Sequence, residues 1–255
     1  RRADMVMLDD NLNVHNTWLG GELVVKDRII TSILEKQLDN NRYKYPERAY
    51  NTVILPKEVK LIPEIPIKEN LKVNIIKTEL PGIMTTRETI NVNKSITDWK
   101  SFLSDNDLCH LCVIERHGLN GEYAHGFLKN FNLKEGAVAS SVGHDAHNII
   151  IAGMDEDDMK FALEKVEETQ GGIVIVNKGI LIAKLELPIA GLLSDKRANV
   201  VAEENRILKY EWSKAGCSLP YMGFNLLPLS VIPNFRITNK GLVDVNSMEL
   251  IPLFE

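Results

Sequence analysis

Apolar positions fall along much of the chain as short uninterrupted runs separated by glycine, proline and asparagine, a pattern that predicts strands buried on both faces. Residues 138–142 and 149–152 are two such runs. A third, 109–115, stops at Arg116-His-Gly-Leu-Asn-Gly121, where two glycines and an asparagine supply loop geometry. Partial alternation at Leu71, Val73 and Ile75 predicts a strand that reverses at Pro81-Gly82. The runs 173–176 and 180–187 flank Asn177-Lys178-Gly179 and predict an antiparallel hairpin that Pro188 stops. Pro56, Pro63 and Pro66 break 53–67 into pieces of edge-strand length, because proline cannot donate to a ladder.

Helical spacing is clearest over 155–169: Met159, Ala162, Leu163 and Val166 share a face, acidic residues crowd the first turn, and Gly171-Gly172 follow the end. A longer helix is predicted to run to about Ala215, capped by Ser194 or Asp195, with Val200, Val201, Ile207, Leu208 and Trp212 as its buried face. The tail over 221–255 carries Pro228, Pro233 and Pro252 and predicts short extended pieces ordered by docking. At the other end, runs at 5–8 and 23–25 around Gly20-Gly21 predict a small strand-and-hairpin unit that cannot bury a core alone, and polar residues 35–52 have the composition of a linker. These elements imply an α/β or α+β fold, with a mixed, largely antiparallel sheet and flanking helices over 51–255 and a small β unit with its linker over 1–50. No Met opens the chain and the strand pattern starts at once, which points to a piece of a longer protein.

Charge and cysteine usage narrow the classes. A net charge of −5 and a pI near 5.8 argue against nucleic acid or an anionic membrane as the main partner. Three unevenly spaced cysteines fit a reduced, cytoplasmic protein without disulfides. No apolar run approaches a membrane span, and the first residues lack a signal-peptide core.

Candidate chemistry gathers where the strand runs end. Between 138–142 and 149–152, Gly143 is expected to permit a turn of unusual backbone angles that presents His144, Asp145, His147 and Asn148. Two readings are open: a satisfied polar network that locks the loop, or ligand, metal or proton handling by the two imidazoles. Glu115, Arg116 and His117 offer a base, a fixed cation and a titratable ring, or a salt-bridged loop. Cys109-His-Leu-Cys112 has the spacing of half a zinc site, but no second pair follows, and on a strand the two thiols face opposite ways. Deaminases of the cytidine type require H-x-E followed by P-C-x-x-C, and Leu108 stands where that proline belongs. No glycine-rich phosphate loop or nucleophile elbow is present.

Five stretches, in order, carry a resemblance: Val113-Ile-Glu-Arg-His-Gly118, Gly126-Phe-Leu-Lys-Asn-Phe-Asn-Leu-Lys-Glu-Gly-Ala137, Ser140-Ser-Val-Gly-His-Asp-Ala-His-Asn-Ile-Ile-Ile151, Leu187-Pro-Ile-Ala-Gly-Leu-Leu-Ser194 and Lys240-Gly-Leu-Val-Asp-Val245. With them the chain resembles the C-terminal portion of the adenine deaminases of the amidohydrolase superfamily, the His-Asp-x-His-Asn block being the most specific. Arg2-Ala-Asp-Met-Val-Met-Leu-Asp9 and the hairpin after it look like strands of that superfamily's small β-domain. The resemblance implies conversion of adenine and water to hypoxanthine and ammonia in purine salvage or breakdown, by a metal-bound hydroxide and an acid/base residue. It also implies manganese or iron held in a TIM-type barrel, adenine as substrate, and a homo-oligomer. The chain departs from the family in one respect: its six histidines form no H-x-H pair, so the barrel's ligands map onto no position here. Accessory roles are therefore expected of His144, Asp145, His147, Asn148, Glu115, Arg116 and His117, no metal is expected in this chain, and the alternative is a non-catalytic purine-binding or oligomerisation module.

Overall fold

The computed structural model describes residues 2–41, 43–93 and 95–255, and the chain divides into two compact units, Arg1–Pro46 and Glu47–Glu255. The first unit is a four-stranded antiparallel sheet in chain order, β1 (Met5–Leu8), β2 (Val14–Leu19), β3 (Glu22–Lys26) and β4 (Ile29–Ile30), followed by α1 (Ser32–Asn40). Met5, Val6, Met7 and Leu8 are all exposed, and Val24 alone among the unit's described residues is buried. Helix α1 corrects the expectation of a linker from 35 onward. Thr31 at its N-cap accepts from the Leu34 N–H, so a capped turn forms in a stretch whose composition is otherwise polar. Arg42, in the same stretch, lies outside the described residues.

The second unit is α+β. Its strands are β5 (Leu71–Glu79), β6 (Met84–Val92), β7 (Leu108–Ile114), β8 (Tyr123–Lys129), β9 (Ala137–Gly143), β10 (Asn148–Gly153), β11 (Gly172–Asn177) and β12 (Ile180–Glu186). They form one sheet in the order β12-β11-β9-β10-β7-β8-β5-β6, antiparallel throughout except where β5 runs parallel to β8. Helices α2 (Trp99–Asn106), α3 (Glu156–Glu168) and α4 (Ala198–Lys214) pack on it.

Strand β10 shows why the central runs are continuously apolar. Ile149 and Ile151 pack with Met159, Ala162 and Val166 of α3 on one face, while Ile150 and Ala152 join Leu208 and Trp212 of α4 in the core on the other. The hairpin β11–β12 turns through Lys178 and Gly179, both at positive φ as a type I′ turn requires. Asp158 of α3 accepts from both of their backbone N–H groups, at 2.8 and 2.7 Å.

Four expectations need correcting. Residues 53–67 form no named strand, only an isolated bridge from Ile54 to His117, as three prolines leave too few donors for a ladder. Helix α4 starts at Ala198 and not after a Ser194 or Asp195 cap; Ser194 Oγ instead accepts from the Lys196 N–H in a turn. Its inner line is Val201, Leu208 and Trp212; Val200 and Ile207, about 100° round the helix from that line, are exposed. The tail folds into α5 (Tyr221–Asn225) and a separate antiparallel sheet of β13 (Phe235–Thr238), β14 (Gly241–Asp244) and β15 (Glu249–Ile251). Its prolines at 228 and 233 lie between these elements and Pro252 follows the last of them, so none falls within an element.

Candidate functional site

The ladder itself assembles the candidate residues. Strands β7 and β10 are antiparallel neighbours with Ile114 opposite Ile149, so 115–117, leaving β7, meet 146–148, entering β10. Two clusters about 30 residues apart in sequence thereby share one end of the sheet.

Glu115 is buried and its carboxylate accepts from the backbone N–H groups of His117, Leu119, Gly121 and Asn120. Burial alone would raise this carboxyl; the four donors outweigh it and hold it below the ordinary glutamate value. The 116–121 loop is thus folded around an anion.

Arg116, 1% exposed, does the converse with carbonyls: Nε donates to His147 O at 2.5 Å, one terminal nitrogen to Ala190 O at 3.0 Å and the other to Thr52 O at 3.3 Å. Burial, partly offset by Glu115, pulls its pKa down to about 10, which leaves it charged at neutral pH. Gly191 lies against the guanidinium, where a Cβ would sit 2.8 Å from three of its atoms. This loop is held by charge-to-backbone bonds, not by the salt bridge the sequence suggested. His117, exposed, makes a 2.7 Å hydrogen bond from Nε2 to Ala146 O.

The 144–147 turn differs from expectation in where its unusual backbone lies. His147 has φ +52°, whereas Gly143 is not among the positive-φ residues. Glycine is needed at 143 for proximity: a Cβ there would stand 2.7 Å from Asn148 O and 3.2 Å from Pro228 Cγ. The His144 N–H donates to Asn225 O at 2.9 Å, its ring is 5.4 Å from that of His147, and its Nδ1 is 3.9 Å from an Asp145 oxygen. Asp145 is the most open of the group, its side chain 78% exposed. Burial first, then His144 and Arg116, lowers the pKa of His147, whose Nδ1 has no hydrogen-bond partner.

Asn148 is 4% exposed and belongs to a relay with a fixed direction. Glu122 Oε2 accepts from Asn239 Nδ2 at 3.3 Å, and Asn239 Oδ1 accepts from Asn148 Nδ2 at 3.1 Å. The carboxylate can only accept, so each amide in turn is oriented and Asn148 is left presenting its oxygen, which has no partner. Beside it opens a cleft of about 300 Å³ between the 145–148 turn, the 228–231 loop and the 238–240 turn. Sequence reasoning missed Asn239, Lys240 and Asn225. The signal for the first two was present: Asn239-Lys-Gly241 repeats the tripeptide of the 177–179 hairpin.

Cys109 and Cys112 fall in separate clusters on opposite faces, and burial raises both thiols. Burial first, then His125, brings the His110 ring between them down to about 4. Among the described residues no group of three or more His, Cys, Asp or Glu side chains could hold a metal ion. Among the described residues no helix is long and apolar enough to cross a membrane.

Residues 79–249 match the family model described as the adenine deaminase C-terminal domain. Over 256 residues the chain is 58% identical to an adenine deaminase of Chelativorans sp. (strain BNC1) and 56% identical to adenine deaminase 2 of Bradyrhizobium sp. (strain ORS 278), in each case 100% of this chain and 42% of that protein. It is 34% identical over 262 residues to an adenine deaminase of Clostridium botulinum (strain Langeland), covering 99% of this chain and again 42% of the relative. The chain therefore spans about two fifths of the length of these relatives, and it belongs to the adenine deaminase C-terminal domain family.

Proposed function

We propose that the chain works as the C-terminal part of an adenine deaminase, a hydrolase of the amidohydrolase superfamily that turns adenine and water into hypoxanthine and ammonia in purine salvage or breakdown. The observation that carries this reading is 58% identity, along the whole chain, to a protein named adenine deaminase. Manganese or iron, when bound in the parent's barrel, supplies the hydroxide. The donors of this chain do not fit that metal: among the described residues no three His, Cys, Asp or Glu side chains are grouped so as to hold it, and Cys109 and Cys112 are buried on separate faces. No metal-dependent step therefore falls to these residues.

Their part is positional. His144, Asp145 and Asn148 stand at the open end of the sheet and face the parent's active-site mouth, where they orient substrate, water or a closing segment. Glu115 and Arg116, with all their bonds directed at backbone, and His117 and His147 beside them, hold the turn that presents that group. The four-stranded unit, with its exposed β1, serves as part of the superfamily's β-domain. Buried, unpaired thiols suit a cytoplasmic setting, and a homo-oligomer is the assembly proposed.

The test is His144→Ala in the intact enzyme, read as turnover and thermal unfolding together. A loss of about 10 to 100-fold in turnover at unchanged stability supports the positional role. Equal loss of both would make the turn a structural network only.

A further inference from the structure

The eight-stranded sheet forks along β5. Ile76 and Lys77 pair with Leu128 and Lys129 of β8, but at Lys72 and Asn74 the hydrogen bonds go instead to Leu253 and Glu255 of the tail. The first half of β8 is left with a bare edge. The Glu115 N–H donates to Glu122 O at 2.9 Å, which sets the phase of the β7–β8 ladder: 122, 124 and 126 turn their backbone groups to β7, and Tyr123 and His125 turn theirs the other way. Among the described residues no strand or tail segment pairs with Tyr123 and His125 on that side. Between this edge and the tail lies a groove of about 580 Å³, with Ala124, Leu242, Leu250, Leu253 and Phe254 as apolar walls. Lys240, exposed and without an ion pair among the described residues, is the one charged side chain at its lining. The neighbouring acid, Glu122, accepts from Asn239 Nδ2, and the His125 ring is tied back by a 2.7 Å hydrogen bond from Nε2 to Lys60 O. Soluble proteins blunt or cover their sheet edges, and a bare one beside an apolar groove is where an added strand docks.

We propose that this groove receives an extended segment of a partner polypeptide, which pairs backbone to backbone with Tyr123 and His125, lays apolar side chains against Leu250 and Phe254, and sets an acidic side chain against Lys240. Charge selects the segment: a groove whose lining holds one unpaired cation and no anion favours a partner that brings a carboxylate. None of residues 144–148 lines this groove, and the proposal stands whether or not the parent deaminates adenine.

The probe is the peptide acetyl-Asp-Val-Ile-Val-amide carrying a fluorophore, titrated into the 255-residue chain and read by anisotropy. Saturable binding is expected. An analogue N-methylated along its backbone keeps the side chains and the charge but offers no N–H, and binds about tenfold more weakly or worse, the worth of one hydrogen bond. Replacing the peptide's aspartate by asparagine, or Lys240→Gln in the protein, weakens binding about two- to fivefold at low salt, since the pair is exposed. Leu250→Asp, at a position 59% exposed, puts a like charge in the apolar wall and weakens binding about tenfold or more. Both substitutions alter exposed side chains, and circular dichroism melts check that both proteins fold. Absence of saturation with the unaltered chain overturns the proposal. So does equal affinity for the N-methylated analogue, or undiminished binding by folded Leu250→Asp or Lys240→Gln protein. Full competition by hexanoate would make the groove a site for small carboxylates, and self-association of the chain that Leu250→Asp abolishes would make a second copy the occupant; either result overturns the partner segment. Failure of any of these leaves the deaminase reading untouched, because none of them measures turnover.

Discussion

Replacing Arg116 by methionine removes a group that joins three separate loops. Its guanidinium bonds the carbonyls of His147, Ala190 and Thr52, at 2.5, 3.0 and 3.3 Å, from a position 1% exposed. A hydrogen bond to a charged group contributes about 1.5 to 3 kcal/mol net, and the 3.3 Å bond falls at or below the low end of that range. Methionine keeps most of the stem's packing but leaves three carbonyls without this donor, while relief of the buried charge's desolvation returns part of the loss. The balance is about 3 to 5 kcal/mol of destabilisation, a large share of the stability of a typical domain. Arg116→Lys recovers little, since one compact ammonium cannot reach carbonyls that diverge around a planar fork. Urea unfolding gives the free energy, and amide hydrogen exchange over 144–148 and 189–192 shows whether both turns loosen together. A loss under about 1 kcal/mol with unchanged exchange would refute the idea that this cation fixes the turn.

The remaining predictions concern acid stability, a glycine and the metal. His110 is 1% exposed, packs 5.7 Å from Trp99 and 5.5 Å from Phe127, and has its pKa lowered from 6.5 to about 4. The folded value lies below the unfolded one, so the unfolded state takes the proton first: stability is whole above 6.5 and falls toward 4, by about 3 kcal/mol in all. His110→Phe should lose that slope between about pH 7.5 and about pH 4.5, and parallel urea midpoints for the two proteins would contradict it. Gly191→Ala, at φ +69° with a Cβ only 2.8 Å from the Arg116 guanidinium, should cost about 2 to 4 kcal/mol by urea unfolding; a neutral effect would show the turn to be loose. The isolated chain with adenine and manganese should release no ammonia above background, and release abolished by a chelator would overturn the reading that the metal is held elsewhere.

Much of the architecture could be read from local pattern. The strands at 109–115, 138–142, 149–152 and 173–187 declared themselves as apolar runs too short for helices, and α3 as a 3.6-residue stripe behind an acidic first turn. Elements whose stability is mostly tertiary did not. Strand β8 carries Ala124, His125 and Gly126 at its middle; Gly126 is there because Ile237 and Leu242 come within 3.2 and 3.3 Å of where its Cβ would be. Helix α2 is marked by its Asp98 cap and by Asp107 at φ +55°, and β6 is an edge strand with an alternating but weakly apolar face.

For the site, the division is sharper. Residue types and spacing determined that titratable and amide side chains sit at strand ends on tight turns, because only short apolar runs bounded by Gly, Asn and Asp could fold that way. Which of those side chains are free was settled by partners far away in the chain. Glu115 is saturated by amides that its own loop supplies, but Arg116 finds its carbonyls at 52, 147 and 190, and Asn148 is oriented by Asn239 and Glu122. A hydrogen bond is decided by angstroms and direction, and those are set by the register of β7 on β10 and by the docking of the β13–β14 hairpin, neither of which any local stretch of sequence encodes.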